Sequence, residues 1–477
     1  MRMIPRELTI QEASAGLQKK VFSSVELTHH CFDILKKKNA SLNAFMTVCE
    51  ESAMGEAQAA DDLIAKGRHA RLTGIPFSVK DAICTRGIRS TGSAKILDTY
   101  VPPFDATVVQ KIRSAGAVLV GKTNCDAFGH GASNENSMYG PVRNPYDETK
   151  VSGGSSGGSA VSVATGMSLF SIAEDTGGSI RQPASFCGIY GLRPSYGRNS
   201  RYGVMPMASS LDTVGPMARS VADIALLMEV MAGHDPKDAT TVNDTVPAYV
   251  KNLDAPFTPL RVGIPDEYFE TEGMDEETRT IVLRAIDDIQ SHGHTLTRVS
   301  LPYTKYAIPV YYILVPSEDS SNLGRLDGIR YGVQKQGETL FDTYAESRAA
   351  GFPEEVKRRI MIGTYALSAG YYDAYYRKAQ KVRTLLCQDF DRVFHDVDLL
   401  VTPTSPFPAF GVGEKTHDVL AMYLADIFAA PASLAGLPGL SVPVGNTKGG
   451  LPVGMQIIGK RLDESTVFHF AHHLSLT

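Results

Sequence analysis

The sequence predicts an α/β protein, a sheet with helices on both of its faces. Between residues 74 and 230, short apolar runs alternate with segments of helical period, and such alternation buries strands between layers of helix. Strand-like runs return at 261–265, 397–401, 439–444 and 453–458. A predominantly helical, tyrosine-rich stretch, 310–396, lies among them.

The elements follow in order. Residues 9–66 read as mostly helical. Thr9-Ile10-Gln11-Glu12 is a capping-box pattern, and Ser24 is expected to cap a helix ending near Lys38. The run Gly74-Ile75-Pro76-Phe77-Ser78-Val79-Lys80 reads as a strand ending in a lysine, and Ala117-Val118-Leu119-Val120 as a buried strand. Residues 160–164 suit a helix, 169–173 a strand and 221–231 an amphipathic helix. Residues 276–291 carry apolar positions at helical spacing. Linker candidates such as 254–259 are short, and there is no internal repeat.

Composition narrows the function. The 477 residues suffice for one large domain or two to three ordinary ones. Forty-seven basic against 52 acidic residues leave a net charge of −5, which argues against nonspecific nucleic-acid binding. Six scattered cysteines without a C-x-x-C pair read as reduced core thiols of a cytosolic protein. Residues 1–7 lack an apolar signal region, and no apolar run approaches the roughly 20 residues of a membrane span. A cytoplasmic location and no membrane contact are therefore expected.

The chemistry concentrates in two glycine-serine loops, Val151-Ser152-Gly153-Gly154-Ser155-Ser156-Gly157-Gly158-Ser159 and Asp175-Thr176-Gly177-Gly178-Ser179-Ile180-Arg181-Gln182-Pro183. A Gly/Ser run alone would be a linker, but here one loop feeds a helix-compatible segment and then a strand. A serine hydroxyl is a weak nucleophile until a neighbouring base takes its proton. Lysine is rarely buried unless paired or functional, and burial favours its neutral, basic form. Lys80 and the serines of the two loops thus form a hydrolytic set, with Ser156 expected to hydrogen-bond locally.

Two other chemistries fail on context. Gly116-Ala117-Val118-Leu119-Val120-Gly121-Lys122-Thr123 fits the phosphate-loop pattern, but its middle residues are a buried-strand sequence whose N–H groups go to sheet pairing. The twelve histidines show no H-E-x-x-H and no metal-ligand spacing with cysteine, so no metal is expected.

From about Leu72 to Arg219, including Phe186-Cys187-Gly188, and again in the C-terminal half, the chain resembles the amidase signature family. The resemblance implies one continuous domain over 1–477 with a large mixed central sheet. Its parts would be N-terminal helices (1–70), a signature catalytic region (71–230) and a helical cap (310–396). It further implies a Ser–cis-Ser–Lys triad of Ser179, Ser155 and Lys80, with Ser155 relaying the proton and the Gly154–Ser155 peptide cis. The N–H groups around Thr176, Gly177 and Gly178 would form the oxyanion hole. The family's substrate-side loop often carries methionine where this chain has His130, which puts the pocket lining there in question.

Within that family the chain most resembles the A subunits of tRNA-dependent amidotransferases. This rests on Ser320-Ser321-Asn322-Leu323-Gly324-Arg325-Leu326-Asp327-Gly328-Ile329-Arg330-Tyr331-Gly332, Glu355-Val356-Lys357-Arg358-Arg359-Ile360 and Ser368-Ala369-Gly370-Tyr371-Tyr372-Asp373-Ala374-Tyr375-Tyr376. The implied activity is glutamine hydrolysis, with ammonia passed to a partner that amidates Glu-tRNA(Gln) or Asp-tRNA(Asn). Glutamine carries an α-carboxylate and an α-ammonium, so its site needs one fixed cation and one fixed anion, and arginine's fork suits the carboxylate. By the resemblance, Arg359 takes the carboxylate, with Arg358 its rival, Asp426 takes the ammonium, and Tyr311 lines the pocket. The implied partners are B and C subunits. ATP and Mg²⁺ would sit on the partner with most tRNA contacts, and this chain would hold no cofactor. The alternatives are a stand-alone amidase of small amides and a phosphate-loop nucleotide-binding protein.

Overall fold

The computed structural model describes residue 4, residues 7–256 and residues 258–475. Phe257, inside the expected 254–259 linker, lies outside that set, as does most of the 1–7 stretch. Among the described residues, eleven strands form one mixed sheet: β1 (Phe45–Val48), β2 (Pro76–Lys80), β3 (Val118–Thr123), β4 (Phe170–Asp175), β5 (Tyr190–Arg193), β6 (Thr213–Ala218), β7 (Arg261–Pro265), β8 (Thr295–Val299), β9 (Leu399–Pro403), β10 (Gly439–Asn446) and β11 (Pro452–Gly459). Their order is β1-β3-β2-β4-β6-β5-β10-β11-β9-β7-β8. β2 runs parallel to both β3 and β4, β7 runs parallel to β8 and β9, and the remaining pairs are antiparallel.

Every residue of β2, β3 and β4 is buried. They are near-continuous apolar runs because helices cover both faces. Phe77 on β2 stacks on Phe170 of β4 at 5.3 Å between ring centroids. The parallel register pairs Val79 with Ile172, so β4 runs two residues past the end of β2. Lys80 closes β2, and Glu174 and Asp175 close β4.

Local signals set the helices. Thr9 caps the helix Ile10–Gln18 through the expected box with Glu12. The next cap moves by one residue: Ser23, not Ser24, accepts the Glu26 N–H, and Glu26 reaches back to the Ser23 N–H. Ser24 is instead the first residue of the buried turn, its N–H donating to Asp61 Oδ1 and its hydroxyl to the Gly74 carbonyl. That helix runs on to Leu42, where Asn43 ends it in the left-handed conformation. Strand β1 lies inside the 9–66 segment read as mostly helical; it is a four-residue edge pairing only with β3.

The 310–396 stretch forms the helices Ala307–Asn322, Leu340–Gly351, Glu354–Leu367 and Tyr376–Asp396. The first carries Tyr311 and an internal Pro316, and the third carries Arg359. The two pack together at Gly363, where an added Cβ would lie 1.7 Å from the Pro316 carbonyl oxygen. No helix among the described residues is long and apolar enough to cross a membrane.

A backbone oxygen cannot swing aside as a side chain can. Gly363→Ala gains up to about 1 kcal/mol of helix propensity but forces these helices apart, at about 1–3 kcal/mol for overpacking. Net destabilisation is expected, read as a lower denaturant midpoint with an unchanged m-value. An unaltered midpoint would contradict the packing.

Candidate active site

Lys80 is fully buried. Its Nζ donates to Ser155 Oγ at 2.6 Å and faces Glu174 Oε1 at 3.2 Å. The Gly154–Ser155 peptide is cis. Gln182 Oε1 accepts the Gly154 N–H at 2.9 Å, and Gln182 Nε2 donates to the Ala132 carbonyl at 2.7 Å. Ser156 does not bond locally as expected: its hydroxyl donates to the Glu174 carbonyl, 18 residues on, at 3.2 Å. Its N–H donates to the Ser179 carbonyl at 3.2 Å, which ties the two serine loops together. Ser179 itself is 7% exposed, while Ser155 is completely enclosed.

The second loop is built around Asp175. Its carboxylate accepts the N–H groups of Gly178 (3.0 Å) and Ile180 (3.1 Å). Arg181 grips it with Nε at 3.0 Å and Nη2 at 2.9 Å, and Arg193 Nη1 lies at 3.1 Å. All three side chains are buried. Burial alone would raise Asp175, but the two guanidinium charges overcome it and hold the carboxyl well below the usual range. Arg181 continues to the Ala429 carbonyl, to Ser433 Oγ and to Gln456. Thr176 Oγ1 donates to Asp212 Oδ1 at 2.7 Å.

These contacts change one expectation. The Gly178 N–H is already engaged by Asp175, so of the three expected oxyanion donors Thr176 and Gly177 are the ones left to serve. Glycine is needed here for another reason as well. A Cβ on Gly177 would meet the Tyr311 hydroxyl at 2.6 Å, and one on Gly178, whose φ is +139°, would meet Ala429 at 2.7 Å and Asp426 Oδ1 at 3.2 Å.

Tyr311 and Asp426 thus lie directly on the serine turn, both buried. Asp426 Oδ1 is enclosed without a hydrogen-bond partner among the described residues. Burial pushes its carboxyl up to about 8 despite the opposing charge of Arg359. Arg359 is 3% exposed, its guanidinium 5.0 Å from the Tyr312 ring centroid and 5.5 Å from that of Tyr423. Arg359 Nε donates to Glu355 Oε1 at 2.8 Å, and the Tyr423 hydroxyl donates to the same oxygen at 3.0 Å. Arg358, the rival for a carboxylate, is 45% exposed and pairs with Glu355 from the rim. A cavity of about 160 Å³ opens here, lined by Ala132, Ser133, Tyr312, Arg359, Met422 and Tyr423 among others. A larger cavity, about 920 Å³, holds none of the expected site residues.

His130 is fully buried, with Nε2 2.5 Å from Asp319 Oδ2 and Nδ1 3.0 Å from the Phe128 carbonyl. Lys122 and Thr123 lie inside β3, and Lys122 Nζ donates to the Ile83 carbonyl and Ser90 Oγ. The phosphate-loop pattern is a strand with its lysine occupied. Sequence reasoning missed Glu174, Arg193, Tyr312, Glu355 and Tyr423. Glu355 and Arg359 had a visible signal, being four apart on one helix; the others meet only through the fold.

The profile of the Amidase family matches residues 26–468. The chain is 51% identical over 467 residues to the A subunit of glutamyl-tRNA(Gln) amidotransferase from Koribacter versatilis, a match that spans 98% of this chain and 97% of that protein. The same identity over 467 residues relates it to the protein of that name from Carboxydothermus hydrogenoformans, over 98% and 96% of the two chains. In three dimensions it is similar to the crystal structure of the A subunit of glutamyl-tRNA(Gln) amidotransferase from Thermotoga maritima, with a TM-score of 0.82, 39% identity, and coverage of 99% and 95%.

Asp175→Asn leaves two buried guanidinium groups short of a countercharge. Breaking a buried pair on one side costs about 3–5 kcal/mol. Denaturant unfolding of this variant should show a loss of that size, and a loss below about 1 kcal/mol would mean the arginines are neutralised elsewhere.

Proposed function

The chain belongs to the amidase family, and from that premise we propose that it is the glutaminase subunit of a tRNA-dependent amidotransferase. One observation carries the substrate assignment. A buried carboxylate oxygen without a hydrogen-bond partner among the described residues, Asp426 Oδ1, stands at the serine turn, and a buried guanidinium, Arg359, is close enough for its charge to act on it. A zwitterionic amino acid offers a partner to both, whereas an apolar amide would leave Asp426 Oδ1 unpartnered and Arg359 with Glu355 alone. The full-length identity of about half to proteins of that name favours this over a stand-alone amidase.

In the proposed reaction the Ser179 hydroxyl attacks the side-chain amide carbon of glutamine. Its proton passes to Ser155 and on toward Lys80, for which the 2.6 Å contact between them is the supporting geometry. The N–H groups of Thr176 and Gly177 receive the developing oxyanion. When the tetrahedral intermediate collapses, the proton returns along the same chain to the leaving nitrogen, which departs as ammonia. A γ-glutamyl ester remains on Ser179, and water, activated by the same relay, releases glutamate. Arg359 holds the α-carboxylate, Asp426 the α-ammonium, and Tyr311 packs the turn between them.

The chain works within an amidotransferase of several subunits. As partners we assign it the large B and the small C subunits, with ATP, Mg²⁺ and most tRNA contacts on the B side and no cofactor on this chain. The acidic charge balance supports that division, since the chain offers no excess of cations to phosphate. A role in protein synthesis places it in the cytoplasm.

Charge-assisted hydrogen bonds contribute about 1.5–3 kcal/mol each. Arg359→Ala and Asp426→Asn should therefore raise KM for glutamine by roughly ten- to a hundredfold. Hydrolysis of propionamide, which has neither charge, should change little. Equal losses on both substrates would overturn the glutamine assignment.

The pH dependence follows from Asp426. Its raised carboxyl binds the ammonium only when ionised, so kcat/KM for glutamine should rise with pH through about 8. The Asp426→Asn variant and propionamide should both lack this limb; its survival in the variant would remove Asp426 from ammonium binding.

A further inference from the structure

The Lys80 site contains a charge that the serine–serine–lysine scheme leaves unused. Glu174 is 3% exposed, and its Oε1 is buried without a hydrogen bond among the described residues, facing Lys80 Nζ at 3.2 Å. β2 and β4 are parallel neighbours in register at Val79 and Ile172, which puts Lys80 and Glu174 at the carboxyl ends of adjacent strands. An ionised carboxylate at that distance in a dry interior stabilises the ammonium form of lysine. A lysine held as ammonium cannot take a proton unless it first gives one up.

We propose that Glu174 is the terminal proton acceptor of the relay, with Lys80 shuttling between it and Ser155. The inference rests on the serine-relay reading above and extends it by one residue. As the Ser179 Oγ–carbon bond forms, the Ser179 O–H bond breaks and its proton moves to Ser155 Oγ. The Ser155 proton moves to Lys80 Nζ, and one ammonium proton of Lys80 moves to Glu174 Oε1. Ser155 ends as a hydroxyl and Lys80 as an ammonium, as they began, and the net change is a carboxylate converted to a carboxylic acid. Collapse of the intermediate reverses the sequence and delivers the stored proton to the departing ammonia. Lys80 Nζ already has both partners near, at 2.6 Å and 3.2 Å, so this leg of the relay needs no side chain to travel.

The surroundings suit an acceptor. Burial raises the Glu174 carboxyl above its ordinary range, against the opposing charges of Lys80 and His130. His130 faces Glu174 from the loop after β3, held by Asp319 of the helix Ala307–Asn322 at 2.5 Å. Asp212, just before β6, feels the Glu174 charge and is itself pushed up to about 7, first by burial. Cys125, following β3, also feels the Glu174 charge, and burial raises its thiol to about 12. Gly129 approaches closely, a Cβ there falling 3.4 Å from Glu174 Oε1 and 3.7 Å from Ser155 Oγ. Acceptor, shuttle and bridging serine thus share one enclosed space.

The test is the pH profile of kcat/KM for propionamide, chosen because it makes no demand on Asp426, in the wild type, Glu174→Gln, Glu174→Asp and Ser179→Ala. With Glu174→Gln, Lys80 must itself deprotonate. The acidic limb should then move up by about one pH unit or more, with about a tenfold or greater loss at neutral pH that recovers in alkaline buffer. Glu174→Asp should restore the wild-type limb at reduced rate. A uniform loss with an unmoved limb, or full activity, in Glu174→Gln would overturn the proposal. Should Glu174→Gln fail to fold, the wild type decides: a trifluoromethyl ketone that forms a tetrahedral adduct on Ser179 should add a carboxylic-acid C=O band to the infrared difference spectrum, and no such band would refute it. Ser179→Ala separates the levels. Cleavage retained there removes the serine relay itself, whereas an inactive Ser179→Ala beside an unmoved limb in Glu174→Gln removes only Glu174.

Discussion

The buried carboxylate of Asp175 holds the site together. It sits at the end of β4 between Arg181 and Arg193 and also takes the N–H groups of Gly178 and Ile180. Through Arg181 it reaches Ala429, Ser433 and Gln456, far along the chain. Burying such a cluster is costly unless every charge is matched, and here two guanidinium groups and two amides answer one carboxylate. The return is a turn with a fixed backbone. In the proposed reaction Ser179 and the N–H groups of Thr176 and Gly177 are thereby set before substrate arrives, which is the condition for an oxyanion hole to lower a barrier.

In the proposed reaction the fold around that turn separates two tasks. The sheet carries proton movement, because Lys80 near the end of β2 and Glu174 near the end of parallel β4 meet at 3.2 Å. The C-terminal half carries recognition. The helix Ala307–Asn322 lays Tyr311 on Gly177, the helix Glu354–Leu367 presents Arg359 beside the stacked rings of Tyr312 and Tyr423, and Asp426 rests on Gly178. Close packing at Gly363 sets the spacing between those helices, so substrate recognition depends on a glycine with no chemical role. A reaction on an amide nitrogen needs the first task, and selection of a free amino acid needs the second.

Features written in local periodicity were legible in the sequence. The box at Thr9, the helices Val221–Met231 and Glu276–Ser291 and the strand Arg261–Pro265 stand where apolar spacing and turn residues put them. The two serine loops were visible because so many glycines and serines before a helix and a strand have few other uses. What escaped is what depends on distant partners. β1 is too short for a periodic signal and is a strand only because β3 offers an edge. Ser24 and Ser23 are equally good caps by type, and the contacts of Ser24 with Asp61 and Gly74 decide between them. The Gly178 N–H looked free for an oxyanion until Asp175 folded back on it, and nothing near Glu174 in sequence announces Lys80.

The central claim is that Ser179 is acylated by the side chain of glutamine. Rapid acid quench of the enzyme during glutamine turnover, followed by peptide mass spectrometry, tests it most directly. The account predicts a γ-glutamyl ester on the peptide containing Ser179, at the hydroxyl of that residue. Ammonia release with the label on any other side chain, or with no covalent adduct at any quench time, would contradict it.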